Sequence, residues 1–354
     1  MDVLVTGGNG FVGAHLVRRL LERGHRVRTL DPHLGLRDAE LRAHGATLVR
    51  GSVTNVEDVE QAMRDQEVVF HLASPFGDIL QPDQAYWDIE VKGTRNVLAT
   101  AERYGVRRVV HCSTQGVHGI ITNPPGNENS PIAPRDYYCQ AKAEGEKICR
   151  EFLDRDLDVV VVRPTSVYGP GDTRGWLKLY RMVANGWFLM IGDGRTYNHP
   201  VYVENLVDCF ELAAQSPNAK GRTYIAGDDK AVTLTELVRG VAGAIGTNVR
   251  IIRFPWYGMA WVSAAVIETA FKHVKARPPV FRRRLSWFKT NRWFQIERAR
   301  QELGYEPRVP LATGLQKTAA WYRENGYLQR AALSVISIIY AGAHWLAEGS
   351  LPVV

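Results

Sequence analysis

A glycine-rich loop lies near the amino terminus, between a predicted strand and a predicted helix. Leu4 and Val5 belong to the apolar strand, and Gly7, Gly10 and Gly13 follow it as G-x-x-G-x-x-G. The first glycine allows the tight turn, the second lets a pyrophosphate approach the backbone, and the third lets helix and strand pack closely. The free N–H groups at the helix start favour an anion. The loop therefore predicts a dinucleotide-binding site.

An acidic residue follows at the end of the next predicted strand. Val12, Leu16 and Leu20 recur at helical spacing after the loop, and the strand at residues 27–30 leads directly to Asp31. An acid at this point can accept a hydrogen bond from a ribose 2′-hydroxyl. The combination of loop and acid favours a dinucleotide far more than the glycines alone.

Strands and helices alternate through the first 165 residues. Strands are predicted at residues 47–50, 67–71, 107–112 and 158–163, and helices at 55–64, 83–104 and 135–154. This alternation is typical of α/β proteins with a parallel sheet. We therefore expect a doubly wound Rossmann sheet with a smaller, interleaved and mainly helical substrate domain. Ligands in such folds bind beyond the carboxyl ends of the strands.

Tyr138 and Lys142 are four residues apart within the helix predicted at residues 135–154, so they share one face of it. A free tyrosine has a pKa near 10, whereas a general base should titrate near the working pH. A cation at about 4 Å supplies roughly the 4 kcal/mol needed to lower that pKa by about three units, although burial opposes it. With Ser113 and Thr114 directly after a predicted strand, the pair predicts a proton-transfer site.

The composition indicates an ordinary globular chain with a net charge of +7. The four cysteines show no metal-ligand spacing, so we predict no metal site and a reducing, cytoplasmic setting. We expect no secretory signal, because the first strand begins at residue 2.

In combination, these motifs resemble the extended short-chain dehydrogenase/reductase superfamily, which contains nucleotide-sugar epimerases and dehydratases and the 3β-hydroxysteroid dehydrogenases. The resemblance extends to about Leu328. Besides the loop and the Tyr138–Lys142 pair, it rests on residues 71–73, Gly93-Thr94 with Asn96, residues 163–171, Gly192-Asp193-Gly194 and residues 299–307.

The resemblance implies a role for each site residue. Tyr138 would be the general acid/base, Lys142 would hold the nicotinamide ribose and lower the tyrosine pKa, and Thr114, with Ser113 as second choice, would bind the reacting oxygen. Asp31, without an arginine after it, implies NAD rather than NADP. The implied cofactor-binding residues are Gly7, Gly10, Phe11, Val12, Asp31, Ser52, Val53, Leu72, Ala73, Ser74, Tyr138, Lys142, Pro164, Ser166 and Val167.

The chain departs from the family pattern at several positions. Ser52 stands where the family usually carries an aspartate, and Glu90 where it carries an asparagine. The residues that clamp the diphosphate of nucleotide sugars are mostly replaced: Ser166 stands for an asparagine, and residues 290–293 read Thr-Asn-Arg-Trp in place of Arg-Pro-Gly-Asp. The chain is therefore closer to the steroid-dehydrogenase and flavonol-reductase branch.

The predicted NAD-binding domain comprises residues 1–165 and about 201–229, and the substrate domain about 166–200 and 230–330. Residues 254–267 are uncharged and aromatic, which fits a buried helix, a lid over an apolar substrate or a face against lipid. Residues 271–294 carry basic side chains between aromatic ones and no acid. This pattern fits a solvated helix, an anionic membrane surface or an anionic substrate such as a carboxylate or phosphate. No motif supports nucleic-acid binding.

Residues 331–347 are uncharged and form an apolar tail within 331–354. This stretch is marginal for a membrane span and fits better an interfacial helix or one packed on protein. Through 254–294 and 331–347 the chain has candidate surfaces for peripheral membrane contact.

The residues together predict an NAD-dependent oxidoreductase that interconverts a secondary alcohol and a ketone on an apolar, sterol- or lipid-like substrate. The first alternative is a nucleotide-sugar epimerase or dehydratase, and a remote one is a non-catalytic NAD-sensing regulator. The family implies a homodimer.

Overall fold

The apolar strands of the amino-terminal region form one seven-stranded parallel sheet. The computed structural model describes residues 1–33, 35–75, 83–259, 261–263 and 285–328. The strands follow the order β11-β6-β5-β4-β1-β2-β3 across the sheet. Their bounds are β1 Asp2–Thr6, β2 Arg26–Asp31, β3 Thr47–Arg50, β4 Val68–His71, β5 Arg108–Cys112, β6 Val159–Pro164 and β11 Thr223–Ala226. The predicted α/β class and all six predicted strands are confirmed.

Alternate residues of each strand point to opposite faces of the sheet. Val3 and Val5 of β1 enter one apolar cluster, and Leu4 enters another. The first cluster packs beneath α1 (Phe11–Glu22), α8 (Val203–Gln215) and α10 (Glu297–Leu303), and the second beneath α3 (Val56–Met63), α5 (Thr94–Arg103) and α6 (Tyr137–Leu153). Strands buried on both faces are typical of a doubly wound sheet.

The helix predicted over residues 83–104 is divided into three segments. α4 (Asp83–Trp87) and α5 flank a π-helical segment at Asp88–Gly93. Such segments are rare, occur mostly as single turns inside α-helices and are frequent at functional sites. Hydrophobic periodicity gives no sign of the wider turn, because the spacing of apolar residues still approximates a helix.

The remaining helices, short strands and turns are not part of the seven-stranded sheet. They are α2 Asp38–Ala43, β7 Ser166–Tyr168, α7 Gly175–Ala184, β8 Trp187–Ile191, β9 Tyr197–Asn198, β10 Pro200–Tyr202, β12 Val232–Thr233, α9 Leu234–Ile245, β13 Arg250–Phe254 and α11 Leu311–Glu324, with short 3-10 turns at Gln115–His118, Pro217–Ala219 and Ser286–Phe288. β7 pairs with β10 in parallel.

The chain divides into two compact units. The first comprises Met1–Trp176, His199–Ala231 and Arg292–Thr318, and the second Leu177–Asn198, Val232–Asn291 and Ala319–Val354. The first unit thus holds residues 166–176 and 292–318, which the boundaries drawn from the sequence gave to the substrate domain.

The second unit has small sheets of its own. β8 pairs with β13 in parallel and β9 with β12 in antiparallel orientation. A capping box closes the start of α9, where Thr233 and Glu236 exchange hydrogen bonds.

Among the described residues, no helix has the length and apolar character needed to cross a bilayer. Residues 260, 264–284 and 331–347 lie outside the described part of the chain, and with them the central part of the predicted basic stretch and the apolar tail.

Candidate active site

The glycine loop between β1 and α1 leaves no space for side chains. Gly7 has a φ of 69°, and a Cβ placed on it would lie 2.8 Å from the Ala73 nitrogen. A Cβ on Gly13 would lie 2.1 Å from the Gly7 carbonyl oxygen, so helix and loop are in direct backbone contact. These two glycines have the conformational and packing roles that the motif predicts.

The start of α1 is suited to hold a phosphate group. Gly10 is the N-cap residue and has no side chain to satisfy the first N–H groups of the helix. Those groups and the helix dipole favour an anion. Asp31 ends β2, and its carboxylate accepts a hydrogen bond from the His33 nitrogen at 3.1 Å. Burial raises the pKa of Asp31. The loop and this carboxyl together fit the pyrophosphate and ribose of a dinucleotide.

The other residues implied in cofactor binding follow the carboxyl ends of neighbouring parallel strands or begin α1. Phe11 and Val12 begin α1, Ser52 and Val53 follow β3, Leu72, Ala73 and Ser74 follow β4, Pro164 ends β6, and Ser166 and Val167 lie in β7. Because the strands are parallel, their carboxyl ends share one edge of the sheet. In addition, the Ser52 nitrogen donates to the Asp58 carboxylate at 2.8 Å. A carboxylate therefore lies beside Ser52, although residue 52 is not itself acidic.

The start of α6 fixes the predicted acid/base residue. Asp136 caps the helix by accepting a hydrogen bond from the Cys139 nitrogen at 2.9 Å. Tyr138 lies in the first turn, and its ring meets that of Tyr86 edge to face at 5.9 Å. Lys142 lies one turn later on the same helix. The local sequence thus places the two side chains on one face, as their spacing predicts.

Lys142 is held on two sides. Its Nζ donates to the Cys112 carbonyl oxygen at 2.7 Å and lies 2.8 Å from Oε2 of Glu90. The Lys142 and Glu90 side chains are only 2% and 0% exposed. The Ser74 hydroxyl donates to the other carboxylate oxygen of Glu90 at 2.6 Å. Lys142 is therefore a member of a buried ion pair, and its partner Glu90 lies on the π-helical segment that the sequence did not predict.

This ion pair bears on the ionisation of the tyrosine. Burial raises the pKa of Tyr138 well above its ordinary value, and the Glu90 carboxylate adds to the increase. Burial also raises the pKa of Glu90, against the opposing effect of Lys142. Lys142 was expected to lower the tyrosine pKa, but here its charge is opposed by Glu90. A further positive charge is needed to bring Tyr138 into the range of a general base.

Thr114 and Ser113 differ in what they contact. The Ser113 hydroxyl donates to the buried Glu146 carboxylate, and Ser113 is 2% exposed. Thr114 is partly exposed, and its hydroxyl accepts a hydrogen bond from the Gly116 nitrogen at 3.1 Å. A threonine hydroxyl in that arrangement still has its hydrogen to donate. The geometry therefore favours Thr114 over Ser113 for contact with a ligand.

Sequence patterns alone did not reveal two features of the site. Glu90 was recognised only as a departure from the family pattern, without its pairing to Lys142. Arg292 was one of many basic residues in the stretch 271–294, yet its Nη1 atom is buried without a hydrogen-bond partner. The composition of that stretch gave no signal that would separate Arg292 from its neighbours. Within the described ranges, no group of three His, Cys, Asp or Glu side chains is arranged to hold a metal ion.

The sequence was compared with models of known protein families and with individual known proteins. The model of the NAD dependent epimerase/dehydratase family matches residues 3–227. A 2-alkyl-3-oxoalkanoate reductase from Stenotrophomonas maltophilia is 29% identical over 332 residues, covering 90% of this chain and 99% of that protein. A 3-beta-hydroxysteroid dehydrogenase from Mycolicibacterium neoaurum is 29% identical over 349 residues, covering 91% of both chains.

Solved structures are also similar to this chain over most of its length. The dTDP-glucose 4,6-dehydratase from Streptomyces venezuelae, crystallised with NAD, superposes with a TM-score of 0.74 at 26% identity, covering 93% of this chain and 99% of that one. The structural similarity therefore includes regions of the chain beyond residue 227, where the family model ends.

Proposed function

Because the chain belongs to the NAD dependent epimerase/dehydratase family, we propose that it is an NAD-dependent oxidoreductase that interconverts a secondary alcohol and a ketone on an apolar, sterol- or lipid-like substrate. The observation that carries the proposal is the position of Tyr138 one turn before Lys142 on α6, at the same edge of the sheet as the glycine loop. A hydroxyl base beside a dinucleotide cradle is the arrangement that hydride transfer from an alcohol requires.

NAD would supply the hydride acceptor. Gly7, Gly10, Phe11 and Val12 would hold its pyrophosphate, and Asp31 a ribose hydroxyl. Ser52 and Val53 would contact the adenine side, and Leu72, Ala73, Ser74, Pro164, Ser166 and Val167 would line the remaining path of the cofactor. A side chain at Gly7 or Gly13 would clash with backbone atoms of residues 72–73 or of the loop itself, so the loop could not keep this conformation.

The protein residues would move the proton. In the oxidation direction, the Tyr138 oxygen accepts the hydroxyl proton of the substrate, and Thr114 donates a hydrogen bond to the same substrate oxygen. Lys142 holds the ribose next to Tyr138. Because burial and Glu90 raise the pKa of Tyr138, the tyrosine becomes a base only when a positive charge is nearby, and oxidised nicotinamide carries such a charge.

The relatives support the choice of substrate class. The names of the Stenotrophomonas and Mycolicibacterium proteins describe a 3-oxo acid and a 3-hydroxysteroid. Both compounds have a carbonyl or hydroxyl group at carbon 3 of a large hydrocarbon skeleton, and the acid has a carboxylate in addition. Both proteins are similar to this chain over nearly its whole length. We therefore favour a substrate with one oxygen function at the reacting carbon and a large apolar body.

A nucleotide-sugar epimerase or dehydratase is the second candidate. The similarity to the Streptomyces dehydratase favours it. The replacement of the usual diphosphate-clamping residues, including Ser166, opposes it. Retention of Tyr138 with Lys142 opposes the third possibility of a non-catalytic NAD-sensing regulator.

The sequence and the family also support proposals for the domain boundaries, the oligomeric state and the location of the protein. We expect residues 1–165 and about 201–229 to bind NAD and the remaining residues to about 330 to select the substrate. We further propose a cytoplasmic homodimer that contacts membranes peripherally through residues 254–294 and 331–347.

The test is formation of NADH by the purified protein with NAD. One set of substrates contains 3-hydroxysteroids and 2-alkyl-3-hydroxyalkanoates, and the other contains UDP- and dTDP-sugars. Net NADH with the first set is the expected result. Isomerisation or dehydration of a sugar nucleotide without net NADH, together with silence in the first set, would replace the proposal with the second candidate.

A further inference from the structure

Among the described residues, three arginines of the first unit carry a buried side-chain nitrogen without a hydrogen-bond partner: Arg18, Arg37 and Arg292. Arg18 and Arg37 also form ion pairs, with Glu22 and Glu40 respectively. Nη1 of Arg292 is shielded from solvent and has no hydrogen-bond partner. Burial lowers the pKa of this guanidinium. A guanidinium group has five N–H donors, and a buried donor without an acceptor is costly. Such an arrangement is stable in a functional site when a ligand supplies the missing acceptor.

The backbone around Arg292 is firmly held. The Gly126 nitrogen donates to the Trp293 carbonyl oxygen at 2.9 Å, and the Gln295 nitrogen donates back to the Gly126 carbonyl oxygen at 2.7 Å. The Phe294 ring packs on the His118 ring with centroids 5.6 Å apart. The backbone from which the Arg292 side chain extends is therefore fixed within the first unit.

The segment that carries Arg292 packs near the turn that follows Thr114, because Phe294, two residues after Arg292, contacts His118 of that turn. Asp136 and Cys139, which flank Tyr138 in the sequence, both raise the pKa of Arg292 and so lie within its electrostatic reach. The Cys139 sulfur in turn packs against Gly116, where a Cβ would meet it at 2.6 Å. The Gly116 nitrogen binds the Thr114 hydroxyl. Arg292 is therefore within electrostatic reach of Cys139, which follows Tyr138 in the chain and packs against the turn after Thr114.

We propose that Arg292 binds a carboxylate of the substrate a few bonds from the reacting carbon, so that the preferred substrates are 3-hydroxy and 3-oxo acids. This inference rests on the proposed oxidoreductase function. A guanidinium group matches a carboxylate with two parallel N–H···O bonds. An uncharged alcohol or ketone would fill the same apolar space but would leave Nη1 without an acceptor. The arginine therefore selects acids over neutral substrates of the same shape.

A phosphate group could satisfy the same donors, but a diphosphate needs a second cationic group beside Arg292. Arg163, a buried arginine bonded to His118 of the turn after Thr114, is already paired with Glu146. A single guanidinium group is better matched to a singly charged carboxylate.

The test compares a long-chain 3-hydroxy acid with its methyl ester, which keeps the reacting centre and removes the charge. With the full-length protein and NAD, we expect kcat/KM for the acid to exceed that for the ester by about tenfold or more, mainly through KM. In Arg292→Leu this ratio falls to about one, and Arg292→Lys keeps part of it. Arg308→Leu, which removes an exposed arginine of the same unit, leaves the ratio unchanged.

A binding measurement separates this inference from the proposed function. Calorimetry with NADH present measures the affinity for acid and ester without turnover. Binding of the acid that depends on Arg292 in a protein that oxidises neither compound would refute the oxidoreductase function but support the arginine site. Equal binding of acid and ester, or a preference that persists in Arg292→Leu, would overturn the inference, as would Arg292-dependent binding of a dTDP-sugar without any preference for acids.

The stability of the variants provides a further check. An arginine that serves only the fold is destabilising to remove, whereas removal of an unpaired buried charge is neutral or stabilising. Urea unfolding of Arg292→Leu should therefore show a midpoint equal to or above that of the unchanged protein. A marked loss of stability in both Arg292 variants would assign the residue to the fold and overturn the inference.

Discussion

The Lys142 ammonium lies 2.8 Å from the Glu90 carboxylate, and both side chains are almost completely buried. The family pattern described above leads us to expect an asparagine, which has no charge, at the position of Glu90. Here the carboxylate opposes the effect of Lys142 on Tyr138, and the tyrosine pKa is raised. The ionisation of Tyr138 should therefore respond to the charge at residue 90.

We predict that Glu90→Gln shifts the acid limb of the pH profile for alcohol oxidation to lower pH by about one unit. The carboxylate raises the pKa of Tyr138, so its removal lowers that pKa and makes the base available at lower pH. The measurement is kcat/KM across the pH range. Glu90→Asn, the residue typical of the family, should give the same shift.

A matched control removes an acid from the same region without touching the ion pair. Glu144 lies on α6 and pairs with Lys147 near the surface. Glu144→Gln should leave the pH profile unchanged. An unmoved or upward-shifted limb in Glu90→Gln would show that Glu90 does not act on Tyr138.

A methyl group at Gly13 should destabilise the protein and abolish binding of NADH. Its Cβ would lie 2.1 Å from the Gly7 carbonyl oxygen, so loop and helix must separate. Overpacking of this kind costs about 1–3 kcal/mol. Urea unfolding and a fluorescence titration with NADH measure the two effects.

The control for this prediction is Gly243→Ala in α9, where nothing lies within 4 Å of the added Cβ. That change should be neutral or stabilise by up to about 1 kcal/mol, because alanine favours a helix over glycine. Gly13→Ala protein that bound NADH normally would contradict the assignment of the loop.

The buried pair of Arg163 and Glu146 should contribute strongly to stability. Arg163 Nε donates to Glu146 at 2.8 Å, and the side chains are 6% and 5% exposed. We predict that Glu146→Ala costs about 3–5 kcal/mol, because it leaves a buried charge without its partner. The near-surface change Glu144→Ala should cost less than about 1 kcal/mol. Similar losses from the two changes would contradict the account.

Two buried histidines should make the protein sensitive to acid. Burial lowers the pKa of His15 and His71 to about 3, from 6.5 in the unfolded chain. Between pH 6.5 and pH 3 the unfolded state binds more protons than the folded state. The contribution of these two histidines to the free energy of unfolding is therefore fully present above about pH 6.5 and is lost as the pH falls towards 3. Each group contributes a slope of about 1.4 kcal/mol per pH unit.

Urea unfolding at several pH values tests this dependence. His71→Asn should reduce the slope by the contribution of one group, whereas replacement of the exposed His44 by Asn should leave the slope unchanged. An unaltered slope in His71→Asn would show that His71 protonation is not linked to unfolding.

The strands could be predicted closely because each is a short apolar run that ends in a turn residue or a polar residue. Residues 47–50 and 67–71, for example, agree with β3 and β4 to within one residue. The relation of Tyr138 to Lys142 could also be predicted, since it depends only on helical spacing. Local spacing along the chain was sufficient for both.

The environment of these residues could not be predicted, because it depends on contacts between distant parts of the chain. Glu90 meets Ser74 and Lys142 only after the π-helical segment has turned its side chain inward. The segment that carries Arg292 reaches the turn after Thr114 through Phe294, which packs on His118 although the two residues are far apart in the sequence. Neither the direction of the tyrosine pKa shift nor the buried guanidinium nitrogen is encoded in a local motif.

The most direct test of the central claim compares Tyr138→Phe with the unchanged protein, with Tyr137→Phe as the control because Tyr137 is the exposed neighbour. Turnover of a 3-hydroxy substrate with NAD and the affinity for NADH are measured on each protein. We predict that Tyr138→Phe lowers kcat by at least about a hundredfold while NADH binds nearly as before, and that Tyr137→Phe changes neither. Turnover that survives in Tyr138→Phe would contradict the role of Tyr138 as the acid/base.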